Sequence, residues 1–230
     1  MYSDFFEKLG SQQVTGKDKK KYTYPFDCSI YTTNYDAVME TYWEGIAQIN
    51  DLWRQEAGGK TLDVRKYEAD VLNLVKLRGS LDWFGLSDGT IVKLDRFQKT
   101  YSKREVQRGE FMIYPIQQKD LYLYPWFDLF WRFKDDLNHK KIWIVIGYRF
   151  SDEFILNIFV EALGTGDHRL ILVTPNAHDI VEKFSLDNVK KVSHRFRKDV
   201  DFRHNVVLIE KKFGGSEYKE VNEEISGKLS

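Results

Sequence analysis

The chain has 230 residues, in which 35 Lys and Arg balance 35 Asp and Glu. A formal net charge of zero excludes a global field that would recruit nucleic acid or an anionic membrane, and the single cysteine excludes an internal disulfide and a multi-cysteine zinc site. Because the sequence has no secretory signal and no apolar run of about 18 residues, it predicts an intracellular, cytoplasmic protein without a membrane segment.

The first 27 residues predict a short helix followed by a basic loop. Ser3 to Leu9 is amphipathic, with Ser3 at the capping position. Gln12 to Lys21 is polar and rich in lysine, which is typical of an exposed loop; contact with phosphates is the alternative.

A polar turn after an apolar run is the first feature that indicates a functional site. Cys28 to Thr33 is rich in β-branched and aromatic residues and predicts a partly buried strand. Asn34 and Asp36 follow, where open α/β sheets bind ligands. Asp36 also suits the cap of a helix over Ala37 to Trp43, whose pattern continues to Trp53. The turn is therefore either a helix cap, which is the commoner case, or a ligand site.

A second strand is predicted at Val71 to Leu77, and it also leads into polar residues, Arg78 to Trp83. Leu81 to Phe84 and Thr90 to Leu94 predict a hairpin. We interpret residues 84–120 as an insertion.

The insertion carries one further predicted strand, Phe111 to Ile116. After it, Tyr124 to Leu137 has apolar residues at helical spacing and predicts a largely buried helix. Ile142 to Ile146 is a nearly continuous apolar run, typical of a strand covered on both faces in a parallel sheet.

The remaining elements alternate between strands and helices. Ser151 is expected to cap a helix over Glu153 to Leu163. Strands are predicted at Arg169 to Thr174 and His204 to Ile209, with a short helix over His178 to Phe184 between them. The tail, residues 211–230, is polar and is expected to fray. This alternation predicts an open, mostly parallel α/β sheet with helices on both faces, in one domain over residues 28–210.

Three motifs in this order resemble sirtuin-like domains of the microbial, NAD-consuming type. The sequence has Thr32-Thr33-Asn34-Tyr35-Asp36 for the family's TTNYD, Lys76-Leu77-Arg78-Gly79-Ser80 with Trp83 for KLHGS..W, and Gly147-Tyr148-Arg149-Phe150-Ser151-Asp152 for GYS.sD. The resemblance covers residues 28 to 176 and implies a Rossmann-type sheet that holds NAD. It implies protein deacylation or hydrolysis of NAD to nicotinamide and ADP-ribose, the latter frequent in antiviral defence.

The resemblance also implies roles for single residues. Asn34 would orient the ribose or the attacking water, and Asp36 would brace the loop. Gly79 and Ser80 would lie beside the ribose, and Thr33 would also contact the cofactor.

The phosphates and the adenosine would be held by later residues. Gly147 would let the backbone approach the phosphates, and Asn176 would reach the adenosine ribose. Arg149 stands where the family has Ser; it either pairs with a phosphate through two N–H groups or lies solvated at the surface.

Arg78 stands where the family has its catalytic His. An arginine, with a pKa above about 12, cannot accept a proton near neutral pH. Arg78 is therefore interpreted either as a ligand-binding group or as a structural partner of Asp82 or Asp36.

The family's first strand and its Gly-rich turn are expected to be missing, because only 27 residues precede the strand that contains Ile30. In such a sheet the loss leaves two edges with unpaired backbone groups. Either the strands that contain Ile30 and Val145 pair directly or another chain supplies a strand. The second case predicts a homo-oligomer or a hetero-complex.

Two functions remain open at this point. The first is a domain that binds NAD or an ADP-ribose-like nucleotide and hydrolyses NAD; the second is a non-catalytic sirtuin-like module that binds a nucleotide or a protein within a larger assembly. The absent four-cysteine zinc module argues against a histone-type deacylase. Nucleic-acid contact through Lys190, Lys191 and the basic segment 194–198 is a weaker hypothesis than a solvated basic face.

Overall fold

The computed structural model describes residues 11–15, 21–25, 28–42, 49–68, 71–94, 100–101, 104–106, 111–113, 122–164, 167–192 and 201–229. Two compact units make up the chain, one formed by residues 10–132 and one by residues 133–230. Within the described residues, no helix combines the length and the apolar character needed to cross a membrane.

The first unit is built mainly of strands. Its elements are β1 (Ser11–Thr15), β2 (Lys21–Pro25), β3 (Ser29–Thr32), α1 (Val38–Tyr42), β4 (Ile49–Asn50), β5 (Trp53–Glu56), β6 (Gly59–Leu62), a 3₁₀ helix (Val64–Lys66), β7 (Leu72–Lys76), β8 (Trp83–Gly85), β9 (Ile91–Lys93), β10 (Thr100–Tyr101) and β11 (Arg104–Glu105). A helix of 14 residues, α2 (Trp126–His139), follows in sequence.

Three kinds of sheet form in the first unit. β3, β7 and β4 make a parallel sheet in that order. β5, β6, β9 and β8 make an antiparallel sheet, and β1 with β2 and β10 with β11 form two hairpins.

β7 is the central strand of the parallel sheet, and all five of its residues are buried. Its buried Asn73 is satisfied by hydrogen bonds: its side-chain oxygen accepts from Asn50 Nδ2 at 2.8 Å, and its Nδ2 donates to the Glu68 carbonyl at 2.7 Å. Buried amides are stable only when paired in this way, so the contacts fix β4 and the preceding loop against β7.

The second unit alternates strands and helices. Its elements are β12 (Ile142–Ile146), α3 (Glu153–Leu163), β13 (Arg169–Val173), α4 (Ala177–Val181), a 3₁₀ helix (Glu182–Phe184), α5 (Leu186–Val192), a 3₁₀ helix (Phe202–Asn205), β14 (Val206–Ile209), a 3₁₀ helix (Gly215–Glu217) and α6 (Tyr218–Leu229). β12, β13 and β14 form a parallel sheet in that order.

The parallel pairing and the predicted strands β3, β7, β12 and β13 are confirmed, as is the hairpin of β8 and β9. The single open sheet is not confirmed, because the described strands form one three-stranded parallel sheet in each unit. The direct pairing of the Ile30 and Val145 strands stays a prediction, because these strands belong to different units.

Two predictions for the N-terminal part of the chain were wrong. The two ends of the predicted basic loop belong to the antiparallel strands β1 and β2. Residues 1–10 and 16–20, which hold the predicted helix and most of the lysines, lie outside the described residues. The helix does not extend to Trp53, because β4 and β5 occupy this region. Trp53 packs edge-on against Trp83 at 5.3 Å between ring centroids, a contact made across the antiparallel sheet.

Burial differs from the prediction at two elements. β12 is not covered on both faces: Trp143 is buried, whereas Ile142 and Ile146 are 44% and 37% exposed, because β12 lies at the edge of its sheet. Helix α2 is buried on one side only, since Phe127 and Trp131 are exposed.

Three further predictions were wrong in detail. Asp152, not Ser151, caps α3, accepting from the N–H groups of Phe154 and Ile155. Residues 111–113 form a single β-bridge rather than a strand. The tail is folded as α6, whose Val221 and Ile225 are buried.

Candidate functional site

The turn after β3 carries the residues of the first motif. Asp36 Oδ1 accepts from the Val38 N–H at 3.0 Å and caps α1, which supports the structural interpretation of this carboxylate. Thr32 Oγ1 accepts from the Asn34 N–H at 3.0 Å. The Asn34 side chain is exposed, as is that of Asp36. The turn therefore holds the Asn34 backbone and presents its amide group to solvent.

The second motif meets the first at the carboxyl ends of adjacent strands. β3 and β7 run in parallel with Thr32 opposite Lys76. Ser80 Oγ and the Leu81 N–H both donate to the Tyr35 carbonyl oxygen, at 2.9 and 3.1 Å. The structure thus brings these two motifs together, and it uses the buried Ser80 hydroxyl as a link between the two turns.

Arg78 follows β7 and is buried, with 4% of its surface exposed. Its carbonyl oxygen accepts from the Ile113 N–H at 3.0 Å. Of the two carboxylates considered as partners, Asp82 pairs with Lys93 at 3.3 Å and Asp36 caps α1. Position 78 thus holds a buried cation instead of the family's titratable imidazole.

Gly79 makes a close backbone approach to its own chain. Its φ is +80°, and a Cβ atom added here would lie 2.9 Å from Trp126 Cη2 and closer still to the Phe111 carbonyl oxygen. Phe111 and Trp126 stack with 5.4 Å between ring centroids. The space beside Gly79 is therefore filled by protein, which accounts for the glycine without a ligand.

The turn after β12 carries the third motif. Gly147 has a φ of +68°, and no atom lies within 4 Å of the place where a Cβ would be. Its N–H donates to the Val173 carbonyl at 2.9 Å, which holds it beside the end of β13. The backbone at Gly147 is consequently open to a ligand.

Lys183 braces the same turn. Phe150 is buried with a φ of +50°, a conformation that non-glycine residues rarely adopt. Lys183 Nζ donates to the carbonyls of Arg149 and Phe150, at 2.7 and 2.9 Å. Burial lowers the pKa of the Lys183 ammonium group. The Arg149 side chain itself is exposed.

Asn176 lies just beyond β13 and precedes α4. Its side chain is exposed and makes no capping hydrogen bond to that helix. The amide is thus exposed at the end of β13, and its contact with an adenosine ribose stays a prediction. The expected convergence of Asn34, Arg78 and Ser80 with Gly147, Arg149 and Asn176 around one cleft stays a prediction.

Sequence reasoning missed two lysines that hold these turns. Lys76 contacts the Asp36 carbonyl and pairs with Glu40, and Lys183 holds the turn after β12. Lys76 had a signal in the sequence, because a lysine within an apolar strand is buried only when it is paired. Lys183 had none, since its partners are backbone carbonyls more than 30 residues away.

These observations define a mixed α/β protein whose polar turns lie at the carboxyl ends of parallel strands, where such folds bind ligands. The family model of the SIR2-like domain matches residues 28–195, which is more than half of the chain. The protein therefore belongs to the SIR2-like domain family, and the resemblance drawn from the three motifs is confirmed. No curated protein matches the sequence.

SIR2-like domains generally use NAD, and each unit presents exposed polar groups of the kind that bind nucleotides. Asn34, Gly147, Arg149 and Asn176 are exposed at strand ends and carry suitable groups. Gly79 and Ser80 are less suited to their implied place beside the ribose, because protein atoms already contact them.

Proposed function

We propose that the protein binds NAD or an ADP-ribose-type nucleotide through the polar turns that follow its parallel strands. The observation that carries this proposal is Asn34, an exposed amide on a turn whose backbone is fixed by Thr32 and linked to the second motif. An amide donates and accepts at once, which suits the paired hydroxyls of a ribose.

Phosphate recognition is assigned to the turn after β12. The open backbone at Gly147 allows close approach of a ligand, and Arg149 offers a planar set of N–H donors that matches phosphate oxygens. The first N–H groups of α3 are engaged by the Asp152 carboxylate. The Arg149 side chain therefore supplies the positive charge that the capped helix end does not.

Turnover is proposed to be weak because of Arg78. NAD supplies a glycosidic bond that water can cleave, and the family's histidine would serve as general base. A buried guanidinium stays protonated at neutral pH and cannot take that role. General-base assistance is worth about 10²- to 10⁴-fold in rate. Without it, the protein should bind NAD but hydrolyse it slowly.

Titration calorimetry with ADP-ribose tests the proposal. We expect Asn34→Ala to weaken binding about tenfold, because two hydrogen bonds of about 0.5–1.5 kcal/mol each are lost. Asn138→Ala is the matched control, since Asn138 is an exposed asparagine on α2. Absence of binding by the unaltered chain, or equal losses in both variants, would contradict the proposal.

A second candidate function is that of a non-catalytic module in a larger assembly. β12 is an edge strand of its sheet, β3 is an edge strand of another, and Ile142 and Ile146 on β12 are exposed. Within its own sheet each of these strands has one neighbour among the described strands, and edge strands can accept strands from other chains. This favours a homo-oligomer or a hetero-complex.

A further inference from the structure

Lys76 is a buried cation at the carboxyl end of β7. Only 4% of its surface is exposed, and its Nζ lies 3.0 Å from Glu40 Oε1 on α1. The same Nζ donates to the carbonyl oxygen of Asp36. The Lys76 side chain therefore connects β7 to two elements of the first motif region: the turn after β3 and helix α1.

Two consecutive carbonyl groups of this turn are held by the second motif. The Tyr35 carbonyl accepts from Ser80 Oγ and from the Leu81 N–H, and the Asp36 carbonyl accepts from Lys76. These are the residues directly after Asn34. With both peptide groups fixed, the backbone that carries Asn34 has little freedom to rotate.

We propose that Lys76 is a positioning residue for the nucleotide site: its ammonium group, oriented by Glu40, fixes the turn so that the Asn34 amide is held in its binding geometry. The inference rests on the proposed function for its ligand, although the fixation of the turn does not depend on it. Lys76 acts through the backbone and needs no contact with the ligand. Preorganisation of this kind lowers the entropic cost of binding.

The surroundings of the ion pair determine which variants are informative. A cavity of about 10 Å³ beside Lys76 and Glu40 is lined mainly by apolar side chains. These are Leu52, Trp53, Leu62, Leu74 and Trp83. Removing the cation alone would leave the Glu40 carboxylate uncompensated in apolar surroundings, which destabilises the fold. The double variant Lys76→Met/Glu40→Leu removes both charges and keeps the volume.

Hydrogen–deuterium exchange of residues 34–38 tests the fixation without any ligand. We expect the exchange to be at least tenfold faster in the double variant than in the unaltered chain. Lys93→Met is the matched control: Lys93 is a lysine of the same unit, on β9, and it pairs with Asp82 in the turn before β8. Unchanged exchange in the double variant, or equal acceleration in the control, would overturn the proposal.

Calorimetry with ADP-ribose then tests the consequence for the site. The double variant should bind about tenfold more weakly, whereas Lys93→Met should bind as the unaltered chain does. If the double variant does not fold, Glu40→Gln gives a milder test, because it removes the charge that orients Lys76 but keeps a polar partner. Glu40→Gln should accelerate exchange at residues 34–38 by a smaller factor than the double variant. No acceleration in Glu40→Gln would overturn the proposal. If the unaltered chain fails to bind ADP-ribose, the proposed function is wrong, and the exchange result still decides whether Lys76 fixes the turn.

Discussion

Gly79 and Met112 form an antiparallel β-bridge that holds residues 111–113 against the turn after β7. The Ile113 N–H donates to the Arg78 carbonyl, and the Tyr35 hydroxyl donates to the Ile113 carbonyl at 2.7 Å. A segment of the insertion therefore covers the second motif and reaches the first.

This relationship predicts that substitution of Gly79 destabilises the protein more than substitution of Gly147 does. Gly79→Ala adds a methyl group that collides with backbone and with Trp126, on top of a left-handed φ that costs about 1–2 kcal/mol. Gly147→Ala carries a similar φ cost with open space around it. In urea unfolding we expect Gly79→Ala to lose at least about 3 kcal/mol and Gly147→Ala about 1 kcal/mol. Equal losses would show that the space beside Gly79 is not filled.

The buried arginine predicts little NAD consumption by the unaltered chain. We expect Arg78→His to raise NAD hydrolysis by about 100-fold or more, because it restores a group that accepts a proton near neutral pH. Asn34→Ala should abolish the activity gained. Arg54→His is the control, since it introduces the same residue at an exposed arginine outside the proposed site. Robust hydrolysis by the unaltered chain that Asn34→Ala leaves unchanged would show that the site is assigned to the wrong residues.

The exposed edge strand β12 predicts association of chains. Light scattering of the unaltered protein should give more than one chain per particle. If the complex is a hetero-complex, this larger mass should appear only when the partner protein is added. Ile142→Lys with Ile146→Lys should reduce the association, because charges at an edge oppose strand pairing. Leu123→Lys, a change at an exposed apolar residue outside β12, should not. A single-chain particle unaffected by these variants and by partner proteins would remove the case for an assembly.

Asp63 predicts an acid-dependent loss of stability in the first unit. A hydrogen bond from the Arg65 side chain is the largest cause that lowers the pKa of Asp63. The positive charge of Arg54, whose Nη2 lies 2.5 Å from Asp63 Oδ2, lowers this pKa further. Because the folded-state pKa lies below the unfolded value of about 3.9, the contribution is complete above about pH 5 and is lost as the pH falls through the folded pKa. Unfolding in urea should thus depend less on pH below 4 in Asp63→Asn than in the unaltered chain. The exposed Asp167→Asn serves as the control.

Local patterns in the sequence were sufficient for the elements that carry the motifs. The apolar runs of β7 and β13 and the helical period of α3 are each defined within one segment, and the structure has them close to the predicted bounds. The polar turns after β3 and β12 also follow from the sequence, since they begin where the apolar residues end. So does the identity of the family, whose three motifs are short and ordered.

Tertiary contacts decided the rest, because they join residues that are far apart in sequence. The Asn50–Asn73 hydrogen bond and the Trp53–Trp83 contact hold strands in a region whose spacing indicated a helix. Burial of Val221 and Ile225 orders a polar tail as α6. Propensity over a few residues is worth less than about 1 kcal/mol per residue and yields to such contacts.

The same limit applies within the candidate site. The sequence by itself determined which polar residues follow the strands: Asn34, Arg78 and Gly147 could all be named from it. Only the tertiary structure decided that Arg78 is buried, that the space beside Gly79 is occupied by Phe111 and Trp126, and that Lys76 holds the turn that carries Asn34. Burial and partners depend on chain segments brought together by folding, and no pattern within a single segment encodes them.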